Sequence, residues 1–229
     1  MLNINKLQKY KQIKTPLIIF IFCLYALIGK SQDWSFELMS GLATNAPARL
    51  RIKQTGFPVI AITANYKSES LVTPVYWVWR FGCWKKKGGW EFEAVHHKIF
   101  LKNLPQDVQR FSISHGLNLL CINRAFKLSH WFIIRLGAGS VLAHAENTIR
   151  GLALQEHGKG IFGMGYYMSG VCFNFVTAKR FMFNNRFYAN LEARFNPSYS
   201  VVPVVNGYAH VPNLAFQVAF GLGYVFIKK

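Results

Sequence analysis

The stretch NLAFQVAFGLGYVF, residues 213–226, decides the fold. Leu214, Phe216, Val218, Phe220, Leu222, Tyr224 and Phe226 take every second place, and Asn213, Ala215, Gln217, Ala219, Gly221 and Gly223 fill the places between. Successive side chains of a strand point to opposite faces, so this is a strand with one face suited to hydrocarbon and one that is small or polar. The segment before it repeats the plan, with Phe187, Ala189, Leu191, Ala193 and Phe195 opposed by Arg186, Tyr188, Asn190, Glu192 and Arg194. Further back, Phe111, Ile113, Leu117 and Leu119 stand against Ser112, Ser114, Gly116 and Asn118, and Trp90, Phe92 and Ala94 against Glu91 and Glu93. Val75, Trp77, Trp79, Phe81 and Cys83 oppose Tyr76, Val78, Arg80 and Gly82; Trp34, Phe36 and Leu38 oppose Ser35, Glu37 and Met39.

Strands of ten or more residues, each with one apolar face, are what a transmembrane β-barrel requires. Composition points the same way. The 229 residues are 52% hydrophobic and 16% aromatic, which excludes a disordered chain, and only 16% are charged. Soluble domains usually hold about 25% charged residues. No run approaches the roughly 18 to 20 apolar residues of a membrane-crossing helix. A soluble β-sandwich also alternates, but its strands run about five to six residues and rarely place so many aromatics on one side. The expected fold class is all-β: an antiparallel transmembrane β-barrel forming a single domain.

Residues 1–31 read differently. Met1 to Lys14 is basic, Leu17 to Ile28 is apolar, and Gly29-Lys30-Ser31 offers small residues for a signal peptidase. This is the plan of a secretory signal peptide, with residues 32–229 as the barrel. Cys23 falls in the leader, and Cys83, Cys121 and Cys172 each sit in a strand pattern without a CxxC, so no disulfide framework or zinc site is implied. The net charge of +18 has no basic helix to carry it, and five of the basic residues lie in the leader. Nucleic acid is therefore not the expected partner; a surface rich in lipid phosphates is.

Short links near Lys85 to Gly89, Asn123 to Lys127 and Ala178 to Asn184 alternate with longer ones at Lys102 to Gln109, His144 to Gly160 and Asn196 to Pro212. Outer-membrane barrels keep short turns in the periplasm and long loops outside. Counting back from the last strand gives eight strands from about Val59. An ascending Trp34–Ala43 and a short descending Leu50–Lys53 raise the count to ten, the preferred number; eight is the alternative. The closing Gly221-Leu-Gly-Tyr224-Val-Phe226 resembles the Gly-x-x-aromatic-x-aromatic signal of clients of the outer-membrane insertion machinery, although Ile227-Lys228-Lys229 trails it. In architecture the chain resembles small Gram-negative outer-membrane barrels, including OmpA-like and lipid A-modifying barrels. That resemblance implies an outer-membrane location and contact with lipid and lipopolysaccharide.

A barrel this narrow has a lumen that side chains can fill. Arg80, Glu91 and Glu93 share the inward parity and, with Glu37, Arg135, Glu192 and Arg194, can form an ion-pair network that closes it. At the outer rim, pairing Leu101 with Arg110 sets His97 opposite Ser114 on the inward side and His96 opposite His115 on the outward side. His144 and Glu146 end the next ascending strand. Three functions stay open for this rim. The histidines can be headgroup-level anchors of a structural or binding barrel without a cofactor. Ser114 as nucleophile with His97 as base would suit an outer-leaflet lipid hydrolase, in the manner of the lipid A deacylases, although their His-x-Ser-Asn pattern is absent. His96, His115, His144 and Glu146 would suit a divalent metal or a phosphate.

Overall fold

The computed structural model describes residues 33–155 and 158–226; the leader expected over residues 1–31 lies outside them. The strands are β1 (Asp33–Ala46), β2 (Ala48–Gln54), β3 (Ile60–Ala64), β4 (Tyr66–Lys67), β5 (Trp77–Lys85), β6 (Gly88–Leu101), β7 (Val108–Lys127), β8 (Phe132–His144), β9 (Glu146–Ile149), β10 (Leu152–Ala153), β11 (Tyr166–Met182), β12 (Phe187–Val204) and β13 (Gly207–Phe226). Every pairing between them is antiparallel. The order β1-β5-β6-β7-β8-β11-β12-β13 returns to β1 through the pairing of Trp34 with Phe226, so the sheet closes into a barrel of eight strands. Closure leaves no edge for water or another chain to pair with.

The preferred count of ten is therefore corrected to eight. β2 does not descend: it pairs antiparallel to β13 at Arg51–His210, just beyond the last β1 pair at Ala46–Leu214. β1 and β2 are one long run along the same neighbour, interrupted at Pro47, which has no N–H for the ladder. The reversal comes later, at residues 55–59, where Gly56 has φ +79°, a conformation that favours glycine. β3 then pairs back on β2, and β4 on β6.

One end of the barrel has short turns at residues 86–87, 128–131 and 183–186, and holds Asp33 and Phe226. The other carries extended hairpins. The link expected as a loop over Asn196–Pro212 is strand almost throughout, closed by a two-residue turn at Val205–Asn206 with Asn206 at φ 56°. Likewise the loop between β6 and β7 shrinks to residues 102–107.

The outside of the ring is an apolar belt of residues such as Leu38, Phe92, Ile122, Phe173, Val218 and Phe220. A water-soluble monomer does not leave so broad an apolar surface uncovered. Past the belt, on the hairpin end, charged side chains such as Arg49 and Arg51 face outward and apolar ones turn inward. Leu50, Ile52, Ile99, Val141 and Ile149 pack there in one core with Phe111, Ile113, Leu117 and Leu119. That corrects the expected facing of β7, whose apolar residues 111–119 point into the barrel. Alternation shows that two faces differ, but both lipid and a dry lumen accept the apolar one.

Candidate functional site

Two constellations stand out: the lumen at the belt level, and a histidine cluster on the hairpin-end rim. In the lumen, Arg80 pairs in register with Glu93 and donates from Nε to its carboxylate at 2.6 Å. Arg80 also meets Glu37, and it reaches Glu192 at 2.8 Å. Arg135 bonds Glu91 at 2.7 Å and Glu192 at 2.9 Å, and Arg194 meets Glu192 at 2.6 Å and also engages Glu93. Arg180, which had not been singled out, bonds Glu37 at 2.7 Å, as does the Tyr188 hydroxyl. The inward parity of Arg180 with Cys172, Asn174, Val176 and Ala178 is the signal that could have found it.

Four carboxylates, Glu37, Glu91, Glu93 and Glu192, thus face four guanidinium groups, Arg80, Arg135, Arg180 and Arg194. The chain has nine acidic residues, so nearly half of them belong to this network. A charge-balanced, mutually bonded set offsets the desolvation of its members, whereas an unpaired one at this depth would cost several kcal/mol. Planar guanidinium groups suit it because each can donate to two or three carboxylates at once.

At the rim, the structure does not bring His97 to Ser114. β6 pairs His97 with Leu117 and then Ile99 with Ile113, so one residue of β6 faces three of β7. On the other flank, Leu117 pairs with Ala143 and Ser112 with Glu146, so residues 113–116 face only 144 and 145. Both flanks show two extra residues, a wide bulge at Ser114-His115-Gly116. Gly116 takes φ +141° within it. The pairing of Leu101 with Arg110 is overturned with it: Leu101 pairs with Tyr66 and Arg110 with Thr148.

His97 instead points inward, above the belt, with Nε2 2.9 Å from Asn45 Oδ1. It is buried, and that bond commits its ring. His96 does not join the other rim histidines. Its Nδ1 lies 2.8 Å from Asn118 Oδ1 and its ring stacks on Trp77 at 5.4 Å.

The bulge gathers a different set. His115 Nδ1 and the Ser114 hydroxyl both meet Glu146 Oε1, and Arg110 meets Glu146 Oε2. The His115 and His144 rings lie 4.9 Å apart, and the Tyr166 ring packs on His144 at 4.9 Å while its hydroxyl donates to the His115 carbonyl at 2.9 Å. Ligating atoms of His115, His144 and Glu146 all lie within 4.8 Å of one another. Glu146 and His144 are buried, and His115 is 59% exposed. Ser114 and His115, neighbours in a strand, would point apart in a regular ladder; the bulge brings Ser114 Oγ to 3.4 Å from His115 Nδ1. Both serine and carboxylate approach the same ring nitrogen. A nucleophile–base–carboxylate relay needs them on opposite nitrogens.

No family model matches the sequence, and no curated protein matches it. Among solved structures, the chain is similar to Ail, the attachment invasion locus protein of Yersinia pestis, in complex with the heparin analogue sucrose octasulfate. There the identity is 11% over 86% of this chain and 99% of that one, with a TM-score of 0.37. Outer membrane protein AlkL, determined in DMPC bilayers, is 14% identical over 86% and 92% of the two chains, TM-score 0.47. Neisserial surface protein A is 10% identical over 85% and 97%, TM-score 0.38. At such identities the likeness is one of fold alone, and the lumen and rim residues take no role from it. The closed barrel and its belt stand on their own. This is a transmembrane β-barrel of eight strands.

Proposed function

We propose that this protein is a non-conducting surface barrel with a structural or binding role, its hairpin end outside the cell and its short turns in the periplasm. The observation that carries this is the balanced set of four carboxylates and four guanidinium groups across the lumen, roofed by the apolar core of the hairpin half. Together they leave the middle of the barrel to side chains instead of water. The orientation follows the rule that short turns face the periplasm. On β2, just past the belt, Arg49 and Arg51 are exposed and Lys53 half-buried, a basic stripe at the level of lipopolysaccharide phosphates. Tyr224 and Phe226, outward on the last strand, suit recognition by the insertion machinery.

A deacylase at the outer leaflet fits less well, because His97 is committed to Asn45 and Ser114 donates to Glu146 without an imidazole between them. The test is electrical and chemical. The full chain refolded into planar lipid bilayers is expected to give no channel steps, and lipid A from cells making it to keep its acyl pattern. Steady ohmic conductance would overturn the closed lumen, and loss of an acyl chain would overturn the non-enzymatic role.

A further inference from the structure

We propose that His115, His144 and Glu146 form a binding site for a borderline divalent cation of the Zn²⁺ type on the hairpin-end rim. Three ligating atoms within 4.8 Å of one another are close to what a tetrahedral ion needs. With bonds of roughly 2.0–2.1 Å, its ligands lie about 3.3 Å apart, a gap that small side-chain rotations close. Two imidazoles and a carboxylate are the donors such ions prefer; Ca²⁺ and Mg²⁺ want an all-oxygen shell.

The backbone is built toward this set. The two extra residues of β7 swing His115 from the barrel wall onto Glu146, and Gly116 at φ +141° makes the swing accessible. Without the bulge, His115 would follow the ladder and miss the end of the neighbouring strand. The surroundings hold the ligands in place. Arg110 engages Glu146 Oε2, which leaves Oε1 to face His115, and Ser114 donates to that same Oε1. Tyr166 fixes the His115 backbone through its carbonyl and packs edge-on against His144. Outer partners of this kind orient metal ligands and are felt in affinity.

His144 and Glu146 are buried while His115 is mostly exposed, so an ion would enter from the His115 side. Three protein ligands leave a fourth position for water or a lipid phosphate oxygen. The site does not depend on whether the lumen conducts.

The experiment uses the full chain folded in detergent, with the fold checked by heat-modifiable gel migration. Co²⁺ is titrated first and read by the visible absorption of a four-coordinate ion; Zn²⁺ is then added to displace it, with Mg²⁺ and Ca²⁺ in parallel. One equivalent of Co²⁺, displaced by Zn²⁺ and ignored by Mg²⁺ and Ca²⁺, is expected. His115→Ala and Glu146→Gln are expected to weaken it by at least about tenfold, with His130→Ala and His210→Ala unchanged. His115 is exposed, so its variant keeps the test valid should Glu146→Gln fail to fold. No saturable binding, or unchanged affinity in folded His115→Ala, would overturn the site.

Discussion

The thiols of Cys121 and Cys172 meet 3.4 Å apart inside the barrel, although their strands β7 and β11 are not neighbours. Gly139 of β8 lies between them, paired in register with Cys121 on one side and Cys172 on the other. With no side chain at that place, the two sulfurs close over the strand. A Cβ on Gly139 would stand 1.8 Å from the Leu120 carbonyl oxygen and 2.8 Å from the Cys121 Cα, both rigid backbone. Gly139→Val is therefore expected to cost at least the ~1–3 kcal/mol typical of overpacking. Urea unfolding in lipid vesicles, followed by tryptophan fluorescence, measures it; a wild-type midpoint would contradict the close approach.

Glu192 bonds three guanidinium groups, those of Arg80, Arg135 and Arg194. Neutralising it leaves a surplus of buried positive charge, so Glu192→Gln should lose about 3–5 kcal/mol. Adding Arg135→Met restores the balance of charges, and the double variant should be more stable than the sum of the singles by on the order of 0.5–3 kcal/mol. Strict additivity in the same urea assay would mean the groups act independently.

Phe220 is 61% exposed at the middle of the belt on β13. Phe220→Arg places a charge in hydrocarbon and should cost ~2–4 kcal/mol. Leu71 is 73% exposed but lies outside the ring strands on the hairpin side, so Leu71→Arg should cost nothing measurable. Equal folding yields for the two variants in vesicles would remove the belt from the lipid.

Alternation along the chain was enough to determine an all-β barrel with a greasy exterior. It also put Arg80, Glu91, Glu93, Glu192 and Arg194 on one inward set, because a charge on the lipid side of a strand is excluded at any register. Three things needed the assembled barrel. The number of strands depended on whether β2 turns back, and only its pairing with β13 shows that it does not. The facing of residues 111–119 depended on where lipid ends and water begins, since each makes the opposite face the apolar one. The rim depended on two extra residues in β7, which displaced His97 from Ser114 and joined His115 to Glu146 and His144. A period of two is local and survives in any single strand; register is a relation between strands far apart in the chain, and one inserted residue changes every partner beyond it.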